Sequence, residues 1–325
     1  QSGRPSLMLD ADFNNLFLRK DSIILDLDTL IVDALTHKGE TDISAATDGF
    51  CVKMDSPLHI LDILNSLEET ASVIGRQLDS TDVDVPAIRR CLPELNASVK
   101  VDRDNPAGSI IASYGISFET LGMDASLSPV RGIKAALTAR EIALDTLSLH
   151  SAEVRLSQED DDMLCRVDLD FLGQYGIPAV KAGVNAVLSS HSATARLKAK
   201  SQIKDGTLGI RDLDTALDLD MQASLDHRSL DAEGRLTFGG LRYASADFGT
   251  HTIKFKGSSP DVKHFDLSAD TDNIPLSVIG SFVDLGDLAL GGEALARVSA
   301  KGSLDSLEIA GLLQRILRVS AFAEG

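Results

Sequence analysis

Residues Thr215 to Asp226 read TALDLDMQASLD. Leu217, Leu219, Met221, Ala223 and Leu225 fall on one parity. Asp218, Asp220, Gln222, Ser224 and Asp226 fall on the other. A strand sends alternate side chains to opposite faces, so this stretch has one apolar face and one acidic, solvated face. A helix would mix the two sets around its circumference. Leu, Met and Ala are weak strand formers, so the expectation rests on pattern rather than propensity. The same alternation returns, with variations, along most of the chain. A sheet with one apolar face must cover that face or use it.

Taken in order, strand patterns run over Leu7–Phe13, Ser22–Ala34, Thr41–Thr47 and Phe50–Met54, the last two around a turn at Asp48-Gly49. The pattern then changes. Asp55-Ser56-Pro57 is a helix-start signal. Beyond it Leu61, Leu64, Leu67, Ala71, Ile74 and Leu78 recur at three- and four-residue spacing, which predicts an amphipathic helix over Pro57–Leu78. A shorter helix is expected at Pro86–Leu92. Helices inserted in a β chain cover an open end or a sheet face, with a lid or gate as the lesser alternative.

Strand patterns resume at Ala97–Asp102, Ser109–Glu119, Met123–Leu127, Ile133–Ala139, Ile142–Leu149 and Ala152–Ser157. Leu147 and Leu149 take one parity and Val154 and Leu156 the other, which marks a turn or bulge near Ser151. Glu159–Asp162 reads as a charged turn before Leu164–Phe171. Leu172–Ser190 holds glycines and valines together and is expected to form two short strands around a turn. Ten further strand patterns follow, from Ala193–Ile203 to Glu293–Ala300. That makes about twenty strands, mostly joined by tight turns and so mostly antiparallel. Leu304 to Phe322 opens an apolar helical pattern.

Composition narrows the uses of such a sheet. The chain has 325 residues, a formal net charge of −18, 43% hydrophobic residues and 4% aromatics, with no Trp. The negative charge repels phosphate backbones and excludes nucleic acid as a partner. Leu, Ile, Val and Ala supply the apolar faces, which suits an unspecific aliphatic lining; a Leu-rich sandwich core is the alternative. Cys51, Cys91 and Cys165 have no zinc spacing, and a Cys51–Cys91 disulfide is left open. No apolar run reaches the roughly 20 residues that span a bilayer, and there is no leader pattern. The chain is therefore expected to be a piece of a longer protein, with any anchor outside it.

No catalytic motif stands out. There is no HExxH, no nucleophile elbow, no phosphate-binding loop and no dinucleotide fingerprint. The seven histidines are scattered. The acids of Glu159–Asp162 lack the spaced oxygen ligands of a calcium loop. Carboxylate pairs are too numerous to choose among, and sugar-stacking aromatics are scarce. The expectation is a chain that is not an enzyme and carries no cofactor or metal.

A local phrase recurs without a fixed period. It runs Gly206-Thr207-Leu208-Gly209-Ile210-Arg211-Asp212-Leu213-Asp214, again at Gly234 to Arg242, and more loosely at Gly302 to Leu307. These phrases, between strands and before a Leu-rich end, resemble those of the AsmA-like and TamB-like periplasmic proteins, of the repeating β-groove superfamily of bridge-like lipid carriers. The resemblance covers mainly Ala193 to Leu313, and more loosely Leu7 to Ala34 and Ile133 to Phe171. The helices at 57–92 depart from it.

The resemblance implies a mainly β fold: a long curved, mostly antiparallel sheet forming an apolar, taco-like groove, with a small helical insertion. It implies a carrier or conduit for phospholipid or another acyl lipid between the membranes of a diderm bacterium, or a part in outer-membrane assembly. The setting would be the periplasm, with an inner-membrane anchor outside this chain and membrane proteins as partners at either end. Each buried CH₂ is worth roughly 0.8 kcal/mol, so a 16-carbon chain gains on the order of 10 kcal/mol if fully covered. The expected groove lining is Leu217, Leu219, Met221, Leu225, Leu236, Phe238, Ile253, Phe255, Phe265 and Leu267. The expected segments are 1–54 (β), 55–95 (helical insertion), 96–303 (repeating β-groove) and 304–325 (start of a C-terminal helix). The rival reading is a structural or adhesive β-sandwich or solenoid whose apolar faces are closed core.

Overall fold

The computed structural model describes residues 6–20, 23–37, 39–80, 84–112, 115–144, 147–173, 179–205, 210–225, 229–239, 242–243, 246–247, 250–260, 264–271, 274–275, 291–303 and 306–318. The protein is mainly β, an antiparallel open sheet with a small helical insertion. The chain divides into two compact units. One comprises residues 1–174 with 185–191, the other 175–184 with 192–325.

In the first unit nine strands form an antiparallel ladder. They are β1 (Leu7–Lys20), β2 (Ile23–His37), β3 (Glu40–Thr47), β4 (Phe50–Ser56), β5 (Leu95–Asp102), β7 (Thr120–Ser128), β8 (Gly132–Leu144), β9 (Leu147–Glu159) and β10 (Asp162–Phe171). The two-residue β6 (Ile116–Ser117) pairs with the end of β8. Strand β11 (Val180–Leu188) stands where two short strands were expected, and residues 174–178 lie outside the described ones.

Two corrections to the sequence reading fall in this unit. Ile142–Leu149 is not one strand: β8 ends at Leu144 and β9 begins at Leu147. Ser109–Glu119 is not a strand either. Pro106–Ala112 forms a helix (α3). Pro106 suits a first helical turn, and Asn105 ties the entry down by donating from Nδ2 to the carbonyl of Asp48. Gly108 lets that turn sit against the chain before it, since a Cβ there would stand 2.6 Å from Arg103 O. The expected parity slip is a bulge, one residue from the predicted place. His150 is skipped in the pairing of β9 with β10, between Asp170↔Ser151 and Phe171↔Leu149. On β8 the backbone opposite it turns left-handed at Glu141 (φ 48°). The inserted residues keep Leu149 and Phe171 on the side of Ala152 and Leu169.

Helix α1 (Ile60–Ser80) and helix α2 (Val85–Cys91) fill the expected insertion. The start of α1 differs from the expectation. Strand β4 runs through Ser56, whose Oγ accepts from the Leu58 amide, and His59 Nδ1 accepts from the Leu61 amide at the helix entrance. Helix α2 begins where expected, with Asp84 Oδ1 accepting from Ala87 N at 2.8 Å. The apolar stripe of α1 does not pack as an amphipathic helix normally does. Leu61, Leu64, Leu67 and Ile74 are exposed, whereas Ile63 and Thr70 are buried. The buried side is fixed by polar contacts: Thr70 Oγ1 donates to Cys91 O, and Gln77 exchanges two hydrogen bonds with the backbone of Asp84.

In the second unit seven strands form the ladder: β12 (Ser192–Asp205), β13 (Ile210–Ser224), β14 (Ser229–Gly239), β17 (His251–Ser259), β18 (His264–Thr271), β20 (Gly291–Ser303) and β21 (Ser306–Arg318). The short β15 (Arg242–Tyr243), β16 (Ala246–Asp247) and β19 (Ile274–Pro275) pair at its margins. The expected strand Asp287–Leu290, and Pro275–Phe282 beyond Pro275, lie outside the described residues. The expected C-terminal helix at 304–325 is a strand, β21, over 306–318. Its register explains the override: Leu307 stands opposite Gly302, Ile309 opposite Ala300, Gly311 opposite Val298 and Leu313 opposite Ala296. The edge of β20 offers a full row of backbone partners from Gly291 to Ser303. The three cysteines are free, so the Cys51–Cys91 disulfide left open by the sequence is not formed.

Candidate functional site

Residues directly opposite in an antiparallel ladder point to the same face. In the first unit one such row crosses all nine strands: Ala11, Val32, Ala45, Val52, Val99, Met123, Leu137, Val154 and Val167. A second row lies two residues away along each strand: Leu9, Ala34, Ile43, Met54, Ala97, Ala125, Ala135, Leu156 and Cys165. No polar residue interrupts either row. Eight inter-strand steps of about 4.8 Å make each about 38 Å long.

No residue of the two rows is buried. Met123 is 39% and Leu137 47% exposed near the middle of the face. A packed core of this size would bury nearly all of them. The buried residues lie to either side of the two rows along the strands instead, Ala139 only two residues from Leu137 on the same face. At one end Thr36, Thr41, Ser56, Leu95 and Gln158 are buried beneath α1 and α2. Thr36 Oγ1 and Thr41 Oγ1 are 3.0 Å apart, Thr41 Oγ1 donates to Leu58 O, Ser56 Oγ to Glu94 O, and Gln158 Nε2 to Val85 O. Val85, Ile88 and Leu92 add a small apolar core to that seam. The helices thus wall one end of the apolar face and leave its middle open. At the other end Val101, Phe118, Ala139 and Leu149 are buried.

The expected lining residues belong to the second unit. The register puts Leu217, Leu236 and Ile253 in one row, Leu219, Gly234 and Phe255 in the next, and Met221, Ala232, Gly257 and Leu267 in a third. Seven of the ten expected residues therefore share one face. All seven are partly or fully exposed. Phe238 pairs with Thr215 and His251 in the backbone register, and Phe265 with Gly302. Leu225 is the exception: β13 ends at Ser224, and Leu225 lies in the turn that follows.

The opposite face of this ladder is ionic. Arg196 donates to both carboxylate oxygens of Asp218, at 3.1 and 2.9 Å, and Arg235 reaches Asp218 from the other side at 3.4 Å. The Arg196 hydrogen bond holds the Asp218 carboxyl below the usual carboxylate range, against a smaller opposing push from desolvation. A cavity of about 370 Å³ opens on this polar side among Arg196, Asp218, Glu233, Arg235, Lys254 and Lys256. The first unit has a counterpart of about 610 Å³, also lined by polar-parity residues of β4, β5, β7, β8 and β9.

The nine-strand rows of the first unit were not picked out from sequence. The signal was present in each strand, as in Val99 and Val101 or Ile43 and Ala45. Joining one strand to the next takes the register, which is non-local.

Among the described residues no group of three or more His, Cys, Asp or Glu is placed to hold a metal ion. Among them, no helix is long and apolar enough to cross a membrane. No family model, curated protein or solved structure matches this chain.

Proposed function

We propose that this chain is a non-enzymatic lipid-carrying segment, with acyl chains lying on the apolar strand faces. The observation that carries the reading is the pair of apolar rows in the first unit, continuous over nine strands with no residue buried. Monomeric soluble proteins rarely leave contiguous apolar patches larger than a few hundred Å² open to water; larger ones mark interaction or ligand surfaces. Acyl chains need apolar contact and no hydrogen bonds, and the rows supply that over a length greater than a compact pocket. The resemblance of the recurring phrases to AsmA-like and TamB-like sequences adds the biological setting. That setting is phospholipid transport, or outer-membrane assembly, in the periplasm of a diderm bacterium, with membrane proteins at either end.

The test is site-specific photocrosslinking in cells. Probes go at Met123 and Leu219, with controls at Asp33 and Asp220, which take the polar parity of their strands. Lipid adducts at the apolar positions and none at the controls are expected. Protein adducts alone at Met123 and Leu219 would mean that another layer covers these faces, and the sandwich reading would replace this one.

A further inference from the structure

The larger polar-face cavity has features that the lipid reading does not use. It lies within the first unit, on the side opposite the apolar rows. Two polar rows build it. Lys53, Ser98, Asp124, Ala136 and Arg155 stand opposite one another across five strands, and Asp55, Asn96, Ser126, Lys134 and Ser157 form the parallel row. Together the two rows line a recess of about 610 Å³ in the sheet surface.

The hydrogen bonding inside it is uneven. Asn96 Nδ2 donates to Asp55 at 2.9 Å, and Arg155 Nε donates to Glu153 at 2.6 Å. Lys53 and Lys134 have no ion-pair partner among the described residues, although the chain carries 49 acids against 31 lysines and arginines. The hydroxyls of Ser98, Ser126 and Ser157 make no side-chain hydrogen bond among the described residues, and all three are half-buried. Lys134 stands directly between Ser126 and Ser157 on neighbouring strands, so one ammonium and two hydroxyls meet at one place with donors to spare, while Lys53, beside Ser98, stands three strands or about 14 Å away. Two exposed carboxylates oppose them there: Asp55, which Asn96 holds, and Asp124, between the strands that carry the lysines.

We propose that this recess binds a phosphate-bearing ligand, Lys134 supplying the charge and the flanking Ser126 and Ser157 the short hydrogen bonds, with Lys53 adding charge from across the recess. Lysine meets phosphate as a point charge, and hydroxyl donors fix its oxygens. A phosphate needs several donors, which Ser126, Lys134 and Ser157 offer side by side. A net charge of −18 argues against diffuse anion binding, so any affinity must be local. The same chemistry could be met by a lipid headgroup or by a free phosphate ester.

Titration calorimetry on the whole 325-residue chain separates these sources. The probes are glycerol 3-phosphate, acetate as an anion without the phosphate geometry, and phosphatidylcholine vesicles with and without phosphatidic acid. Saturable binding of glycerol 3-phosphate, or of the phosphatidic acid vesicles alone, is expected. It should fall about tenfold in Lys134→Glu, the loss that removing one charged hydrogen bond brings, and by less in Lys53→Glu, three strands away. Asp124→Asn should strengthen it, because that change removes one opposing charge. Lys254→Glu, in the second unit, should leave it unchanged. Lys53→Gln and Lys134→Gln serve as milder variants, and a thermal melt checks that each variant is folded. Equal binding of acetate, binding indifferent to the two lysines, weaker binding in Asp124→Asn, or no binding of either phosphate probe would overturn the proposal. Because the recess is on the face opposite Met123, failure of the lipid crosslink leaves this result standing, and the reverse holds too.

Discussion

The ring of Phe255 lies over Gly234. The two are direct partners between β17 and β14, and a methyl group at 234 would stand 2.5 Å from Phe255 Cζ and 2.6 Å from Asp218 O. Gly234→Ala should therefore destabilise the second unit by about 1–3 kcal/mol, the usual range for overpacking. Adding Phe255→Ala should recover only part of the loss, since the Asp218 carbonyl stays in place. Thermal melts of the single and double variants check this. An unchanged melting temperature in Gly234→Ala would mean the ring does not rest on the glycine.

The ionic face of the same ladder predicts a pH dependence. Asp218 has a folded-state pKa below its unfolded value, first through the Arg196 hydrogen bond. The stability it contributes is present above the unfolded pKa, near 3.9, and is lost as pH falls through the lower folded value. Asp218→Asn should be less stable than the parent at neutral pH, and the gap should close in acid. Added salt should also narrow it, because Arg196 and Arg235 are exposed. Urea melts across that pH range measure the gap.

Two aliphatic side chains of the first unit should respond in opposite ways. Ile63, on α1, is 1% exposed, and Leu137, in the nine-strand row, is 47% exposed. Ile63→Ala should cost about 2–5 kcal/mol. Leu137→Asp should cost less than about 1 kcal/mol, as a surface change does, while abolishing uptake of a fluorescent fatty acid. A collapse of stability in Leu137→Asp would point to a covered core.

Glu141 holds φ at 48° beside the bulge at His150, its carboxylate 2.5 Å from His150 Nδ1. Left-handed backbone costs a non-glycine residue about 1 kcal/mol or more. Glu141→Gly should keep or raise the melting temperature, because the exposed His150 contact is worth little. Glu141→Val should lower it, since a β-branched side chain tolerates that conformation poorly. The reverse order would show that the His150 contact outweighs the backbone strain.

The antiparallel β character, most strand positions and the parity of each strand were readable along the chain, because alternation is a local property of neighbouring residues. Leu217, Leu219 and Met221 could be assigned to one face in that way. The place of α2 was readable too, from Pro86, although its Asp84 cap was not picked out. What failed was decided by contacts distant in sequence. Leu307 to Leu313 carries an apolar pattern suited to a helix, but the unpaired edge of β20 makes it a strand. Ile110 and Ile111 favour strand by propensity, but Asn105 bonded to Asp48 places them in α3. The α1 stripe was legible as amphipathic, yet it faces outward, because Thr70 and Gln77 fix the other side to α2. Alternation alone gives each strand its apolar face. That these faces align into uninterrupted rows, that no residue of the nine-strand rows is buried, and that helices wall one end came with the folded arrangement. Register, burial and helix docking depend on which distant residues meet, and no local pattern encodes that.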